Sequence, residues 1–138
     1  MIRVVLDTNI IVSALLQPLG PPAQIFVLAI GGGVQLCISG SVYAEYEEVI
    51  RRPRFRRDQN IIARTLQTIH EESVWVRPTE TVRACSDPDD DIFLECAQAA
   101  RADYLVTGNL KDFPASWSGT QIVSARHLLA IISGGTQQ

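Results

Sequence analysis

Apolar residues occur along this chain in two patterns, as short unbroken runs and as longer stretches with helical spacing. Residues 2–6 are β-branched and nearly all apolar, which is typical of a strand buried on both faces. Similar short runs predict further strands at residues 34–38, 74–76, 104–106 and 121–124.

Helices are predicted between these runs from caps, chain breakers and apolar spacing. They cover residues 21–30, 42–52, 59–72, 92–102 and 125–132. Ser39 and Ser41 both offer caps for the second of these helices, and Pro53 stops it. Strands that alternate with helices in this way predict an α/β layer fold with a mostly parallel sheet.

Two of the predicted strands end in small polar side chains. Asp7, Thr8 and Asn9 follow the first strand, and Thr107 and Asn109 follow a later one. In open parallel sheets, ligands bind at the carboxyl ends of strands, where the strand order reverses. If the two strands are neighbours, we expect their polar tips to share one cleft.

Composition narrows the class of protein. The chain has 138 residues, 46% of them hydrophobic, which fits one domain over residues 1–138 with its own core. A net charge of −3 gives no strong global attraction for nucleic acid. The three cysteines lack CxxC spacing, so we expect reduced thiols in a cytoplasmic protein, with no signal peptide and no membrane span.

Further carboxylates could reach the expected cleft. They lie on the helix after the second strand, in an acidic run before another helix, and past the strand 104–106: Glu45, Asp89, Asp90, Asp91 and Asp112. Acids that converge without a counter-charge repel one another, and a hard cation such as Mg²⁺ or Mn²⁺ removes that conflict. Such an ion activates water and stabilises charge on a phosphoryl oxygen, which points to hydrolysis of a phosphodiester.

Each acid also has an ordinary explanation. Asp7 could cap a short helix beginning near Asn9, and the acidic run could be a solvated first helical turn favoured by the helix dipole. Glu45 could be an exposed helix residue, but it is not the reciprocal partner of a capping box with Ser41, because that position is Ala44. The joint occurrence of these acids at strand ends is therefore more informative than any one of them.

Three segments resemble the motifs of PIN-domain nucleases. They are "VVLDTNIIVSALL", "ISGSVYAEYEEVIRRPRF" and "DPDDDIFLECAQAARADYLVTGN", which together span nearly the whole chain. The resemblance is closest to the bacterial and archaeal branch of VapC-like toxins from toxin–antitoxin systems. It implies a three-layer α/β/α sandwich with a central, mostly parallel sheet, and Mg²⁺- or Mn²⁺-dependent cleavage of RNA.

The resemblance also implies roles for single residues. Asp7 would be the first metal ligand and Glu45 the second acid, with Thr107 as the small hydroxyl of the last strand's motif. The third acid is Asp91 when counted back from the strand 104–106, and Asp90 when counted back from the small helix residue 97. We favour Asp90 slightly and keep both as catalytic and metal-binding candidates, because adjacent helix positions point about 100° apart.

The fourth motif departs from the commonest family pattern. Many members have Asp where this chain has Asn109, which keeps an oxygen ligand but removes a negative charge. Asp112, three residues further on, could compensate directly or through a water. Thr8, Asn9, Thr107, Asn109 and Asp112 are thus expected to support the metal ligands.

Charge is unevenly distributed. Five of the twelve Lys and Arg residues fall in "RRPRFRR", residues 51–57. Arg52, Arg54 and Arg56 could contact RNA phosphates while Phe55 stacks on a base. The same segment could instead be a solvated connection between helices, or could bind an acidic antitoxin.

The functional expectation is a metal-dependent endoribonuclease that acts as a toxin, with RNA as substrate, a cognate antitoxin as partner and a homodimer as its assembly. One alternative is a catalytically weak or inactive PIN-fold module that binds RNA or protein, which Asn109 favours. Another is an Asp-nucleophile phosphatase, disfavoured because Asn9 stands where a second Asp is usual.

Overall fold

The structure is a computed structural model and describes residues 1–52 and 58–134. The strands of this part of the chain are β1 (Arg3–Leu6), β2 (Gln35–Ile38), β3 (Val74–Trp75), β4 (Tyr104–Val106), β5 (Ser116–Trp117) and β6 (Thr120–Val123). Its helices are α1 (Thr8–Leu16), α2 (Pro21–Ile30), α3 (Gly40–Ile50), α4 (Gln59–Glu72), α5 (Asp91–Ala100) and α6 (Ala125–Gly134). Short 3₁₀ turns lie at Pro88–Asp90 and Leu110–Asp112.

The strands form one sheet in the order β3-β2-β1-β4-β6-β5. Every described neighbour pair is parallel except β5 with β6. The predicted mostly parallel sheet and three-layer α/β/α arrangement are therefore confirmed. Strand β1 lies at the centre, and its residues Val4, Val5 and Leu6 are fully buried, which explains their unbroken apolar run.

The strand register aligns the carboxyl ends of the strands in one row. Leu6 lies opposite Val106, and Val106 lies opposite Val123. Val4 lies opposite Leu36, so the register carries Leu6 to the level of Ile38, which pairs with Trp75. The next residue of each strand therefore stands in the same row, which we call the edge row: Val76, Ser39, Asp7, Thr107 and Ser124.

Backbone hydrogen bonds extend the ladder into this edge row. The Asp7 N–H donates to the Val106 carbonyl at 2.9 Å, and the Thr107 N–H donates to the Val123 carbonyl at 3.0 Å. On the other side, the Val76 N–H donates to the Ile38 carbonyl at 2.8 Å. Because neighbouring strands lie about 4.8 Å apart, polar groups in the edge row are close together. The expectation that the tips of the first and the 104–106 strands meet is thus confirmed.

Several local predictions differ from the structure. The helix predicted at residues 42–52 lies two residues earlier, at Gly40–Ile50, because Ser39 is the one of the two candidate caps that is used: its hydroxyl accepts the Val42 N–H at 3.2 Å. Within α4, the apolar residues Ile62, Leu66 and Ile69 fill the buried face, whereas Ile61 is exposed.

The short strand β5 was not predicted. It pairs with β6 through a tight turn in which Ser118 and Gly119 have φ values of 50° and 89°. Positive φ at both central residues is the conformation that two-residue hairpin turns require. The dipeptide "SG" was the signal for this turn in the sequence.

No single helix in residues 1–52 and 58–134 is long and apolar enough to cross a membrane. Helices α1 and α2 reach such a length and composition only as a pair, and an angle of 108° separates them.

One buried tyrosine fixes the central strand to α3. The Tyr46 hydroxyl is fully buried and donates to the Leu6 carbonyl at 2.5 Å. Leu6 is the residue before Asp7, so this bond holds the end of β1 against the helix that carries Glu45.

Replacing Tyr46 by Phe removes this bond while keeping the ring. We expect Tyr46→Phe to lower the free energy of unfolding by about 1–2 kcal/mol, because a buried carbonyl loses its partner. Urea unfolding measures the change. Tyr43→Phe is the matched control on the same helix, since its hydroxyl lies 3.4 Å from the Leu66 carbonyl and is only partly buried. Equal losses in the two variants would contradict the role given to Tyr46.

Candidate active site

Asp7 is the central acid of the edge row. It is only 7% exposed, and one of its carboxylate oxygens accepts the Thr107 hydroxyl at 2.7 Å. It stands at the N-cap position of α1 without a capping hydrogen bond of standard geometry, although the backbone N–H groups of Thr8 and Asn9 interact with its carboxylate and lower its pKa. Burial raises the pKa of Asp7, the Thr107 bond opposes that rise, and the charge of Asp112 adds to it.

Thr107 and Asn9 tie the ends of β1 and β4 together. The Thr107 hydroxyl donates to Asp7, and its oxygen accepts the Asn109 N–H at 3.0 Å. The Asn9 side-chain oxygen accepts the Gly108 N–H at 3.2 Å. The bonds from Thr107 to Asp7 and from Gly108 to Asn9 join the two loops, and the first of them orients the Asp7 carboxylate.

Glu45 approaches Asp7 from α3. The Thr8 hydroxyl, which is buried, donates to the Glu45 carboxylate at 3.4 Å. Burial raises the pKa of Glu45, and the charges of Glu48 and Asp7 add to that rise, while the bond from Thr8 lowers it. Glu45 is thus a partly buried acid that interacts electrostatically with Asp7.

Asp90 lies at the end of the 3₁₀ turn before α5 and is half-buried. Its pKa rises from the ordinary 3.8 to about 6. Burial is the main cause, and the negative charges of Asp7, Asp87, Asp112 and Glu45 add to it. Asp90 therefore lies in the electric field of the acids that the sequence placed in the cleft.

Asp91 has different partners. It is 6% exposed, and one oxygen accepts the backbone N–H groups of Ala84 at 3.0 Å and Cys85 at 2.8 Å. Burial raises the pKa of Asp91, but these bonds outweigh burial and the pKa is lowered. Asp91 thus anchors the loop before the 3₁₀ turn, whereas its neighbour Asp90 interacts with the other acids.

Asp112 is the fourth acid of the group. Its charge raises the pKa of both Asp7 and Asp90, and its side chain is partly buried. Its carbonyl accepts the Ser86 N–H at 3.1 Å, which joins the loop after β4 to the acidic run. Asn109, by contrast, is exposed. We define Asp7, Glu45, Asp90 and Asp112 as the acid cluster.

The acid cluster offers only carboxylate oxygens, which suit hard cations such as Mg²⁺ and Mn²⁺. Within residues 1–52 and 58–134, no three His, Cys, Asp or Glu side chains form a closed metal-binding group. Like charges stand apart when no cation screens them, and Mg²⁺ completes its shell with water around one or two carboxylates. The donor set therefore fits a hydrated Mg²⁺ or Mn²⁺.

The predicted RNA-contacting arginines are only partly described. Arg52 lies at the end of α3, where its guanidinium donates to Glu48 at 2.7 and 3.0 Å and its charge lowers the pKa of Glu45. Arg54 and Arg56, with Phe55 between them, lie outside the described residues.

Trp75 is 42% exposed although it lies in an apolar run. It is the last residue of the short strand β3, next to the edge row. Its exposure was not predicted, because the apolar run "VWV" is typical of a buried strand.

The PIN-domain family model matches residues 3–111 of this chain. An archaeal relative, the uncharacterized protein MJ1680 from Methanocaldococcus jannaschii, is 31% identical over 111 residues, which cover 78% of this chain and 71% of that protein.

Two crystal structures share the fold. VapBC-1 from nontypeable Haemophilus influenzae aligns with a TM-score of 0.60 at 18% identity, over 91% of this chain and 99% of the matched one. The other is VapBC2 from Rickettsia felis bound to a DNA fragment from its promoter. It aligns with a TM-score of 0.57 at 16% identity, over 88% of this chain and 98% of the matched one.

The different surroundings of Asp90 and Asp91 predict opposite effects of the same substitution in metal-free protein. At neutral pH, Asp91→Asn is expected to lower the free energy of unfolding by about 1–3 kcal/mol, because two buried amides lose a charged acceptor. Asp90→Asn is expected to raise the melting temperature by about 1–3 °C, because it removes a repelled but partly solvated charge.

The dependence on pH separates the two effects further. The raised pKa of Asp90 means that its carboxylate destabilises the fold above about pH 6, so the gain in Asp90→Asn fades as the pH falls towards 4. The lowered pKa of Asp91 means that its contribution persists at neutral pH and is lost only below its ordinary value of 3.8. Thermal unfolding in EDTA at several pH values measures both. The exposed Asp89→Asn is the control, and effects of equal sign at positions 90 and 91 would refute the assignment.

Proposed function

This chain belongs to the PIN-domain family, and we propose that it is an endoribonuclease that hydrolyses RNA phosphodiester bonds with the help of Mg²⁺ or Mn²⁺. Family membership supports nuclease activity. The observation that carries the proposal is the acid cluster, in which the buried Asp7 carboxylate interacts electrostatically with Glu45, Asp90 and Asp112. Among residues 1–52 and 58–134, the charges that act on Asp7 and Asp90 are negative, and Arg52 partly offsets the charge of Glu45. Such a cluster is unfavourable for folding and suited to a divalent cation.

Each member of the acid cluster has a proposed task. Asp7 would be the innermost ligand, because Thr107 holds its carboxylate in one orientation. Glu45 and Asp90 would be the two acids that close on the ion from α3 and from the start of α5, with Asp112 as outer support. A bound Mg²⁺ or Mn²⁺ would supply stabilisation of the charge that develops on the phosphoryl oxygens and would activate water.

We assign Asp91 a supporting task rather than direct ligation. One oxygen of its carboxylate accepts the Ala84 and Cys85 amides, and this anchor sets the position of the turn that carries Asp90. Thr8, Asn9 and Thr107 would likewise position the ligands through the hydrogen bonds described above.

The alternative of an inactive binding module rests on Asn109. Its side chain is exposed, and the acid that interacts with Asp7 and Asp90 from this loop is Asp112. The negative charge that Asn109 lacks is therefore present three residues further on. This observation favours a functional nuclease over the binding module.

We further infer that this nuclease is a toxin neutralised by an antitoxin. The fold matches chains of two VapBC structures over nearly their whole length. Three large apolar residues of α1, α2 and the segment between them are exposed: Leu16 at 44%, Leu19 at 92% and Val27 at 63%. Exposed apolar clusters mark protein interfaces, which supports an antitoxin or a second copy of the chain in a homodimer as the partner.

Purified protein with Mg²⁺ or Mn²⁺ is expected to cleave RNA, and excess EDTA is expected to abolish cleavage. Asp7→Asn should lower kcat by about a hundredfold to a thousandfold or more, because the cation that would stabilise the developing phosphoryl charge loses its innermost anionic ligand. Single-turnover assays on fluorescent single-stranded and structured RNAs measure the rates.

Asp58→Asn is the matched control for this assay. It removes the same charge at the exposed N-cap of α4, where Asn caps a helix as well as Asp does. Cleavage that survives EDTA, or that is equal in Asp7→Asn and in the wild type, would contradict the proposed site.

The toxin inference has its own test in cells. Induced expression in a bacterial host is expected to arrest growth, and Asp7→Asn is expected to restore it. Co-expression of a cognate antitoxin should also restore growth, and the antitoxin should co-purify with the chain. Growth that is unaffected by active, RNA-cleaving protein would refute the toxin role while leaving the nuclease in place.

A further inference from the structure

A cavity of about 460 Å³ opens at the same edge of the sheet as the acid cluster. Its walls come from the ends of β2 and β3 and the start of α3, and include Ser39, Ser41, Trp75 and Arg77. This volume falls in the range of about 300–1,000 Å³ that is usual for small-ligand sites. None of the acids of the cluster lines it, so the proposed metal chemistry does not account for it.

The edge row connects the cavity to Asp7. Ser39 follows β2, the strand beside β1, and Val76 follows β3, one strand further out. At about 4.8 Å per strand, the cavity begins beside Asp7 and extends to about 10 Å from it along the edge. A chain molecule bound at the acid cluster could therefore continue into the cavity without leaving the sheet edge.

Trp75 provides a fixed aromatic surface in this cavity. Its indole N–H donates to the His70 carbonyl at 3.0 Å, and its ring centroid lies 4.8 Å from His70 and 5.5 Å from Tyr43. These contacts restrain the ring, and 42% of the residue is still exposed. An ordered and half-exposed aromatic ring is the kind of surface on which unpaired bases stack.

Arg77 provides a positive charge in the lining of this cavity. It is exposed, and the ion pairs of the described residues, Arg51 with Glu47 and Arg52 with Glu48, do not include it. Its guanidinium is therefore available for a phosphate, which it can bind through two parallel N–H groups. An aromatic ring and a guanidinium two residues apart match the base and the phosphate of one nucleotide.

We propose that this cavity binds a nucleotide of the RNA substrate next to the cleaved bond, with its base on Trp75 and its phosphate on Arg77. The inference rests on the proposed nuclease function and adds a substrate class to it. Bases inside a duplex are stacked on each other and cannot reach a protein ring. The cavity therefore selects single-stranded RNA.

Binding is tested first in the Asp7→Asn background with EDTA, so that no cleavage interferes. Anisotropy of a labelled single-stranded oligoribonucleotide is expected to show at least about a fivefold weaker affinity for Trp75→Leu, with partial recovery in Trp75→Phe. Arg77→Ala should reduce the slope of log affinity against log salt by about 0.7, the contribution of one phosphate contact to a single strand. Loss of packing alone would not change that slope.

One further pair of variants and one control distinguish an effect of charge on RNA binding from an effect on folding. Ser41→Glu places a negative charge in the cavity at a helix start where acids favour the helix, so it should bind RNA more weakly than Ser41→Gln without loss of melting temperature. Arg101→Ala removes a charge at the end of α5, at the opposite edge of the sheet, and should bind like the parent.

Cleavage by the otherwise wild-type enzyme then separates this inference from the function it rests on. For active enzyme, the cavity variants should raise KM for a long oligonucleotide, and the effect should shrink for a dinucleotide. Unchanged affinity and KM in all cavity variants of an active nuclease would overturn the cavity assignment alone. A protein that binds RNA through Trp75 but never cleaves it would overturn the nuclease and leave the nucleotide site standing.

Discussion

The burial of the Asp7 carboxylate at the end of the central strand is the constraint around which the rest of this site is arranged. A charge withdrawn from water is costly unless hydrogen bonds or an opposite charge compensate it. Thr107 supplies one short bond, and the neighbouring acids make the cost larger. The fold keeps this arrangement because the strand beneath Asp7 is fully buried and Tyr46 fixes its last carbonyl. The acids around Asp7 thus lower the stability of the fold at the place where a bound cation would raise it.

The adjacent acids at the start of α5 show how one short run can carry two tasks. Asp91 satisfies backbone groups and has a lowered pKa, so it belongs to the framework. Asp90, one residue earlier, has a pKa that is raised by burial and by the charges of other acids, so it belongs to the acid cluster. The rotation of about 100° between neighbouring helical residues is enough to separate the framework from the reactive surface.

Much of the fold follows from pattern, because unbroken apolar runs and helical spacing are local properties. The parallel sheet was predicted from the alternation of strands and helices, and Asp7 and Thr107 were expected to meet if their strands were neighbours; both features are present. The choice between Asp90 and Asp91 was not decided by sequence, because it depends on where the 3₁₀ turn passes into the helix. The exposure of Trp75 depends on β3 being an edge strand, which is a property of strand order and not of the run itself.

The edge row has a consequence for how this chain can vary over evolutionary time. Successive side chains of a strand point to opposite faces, so one residue inserted within β1 or β4 would turn Asp7 or Thr107 away from its partner. Insertions beyond the opposite ends of the strands leave that phase intact. Insertions and deletions among related chains should therefore lie in the loops at the amino ends of the strands. The number of residues from each strand's first paired residue to its polar residue in the edge row should stay constant.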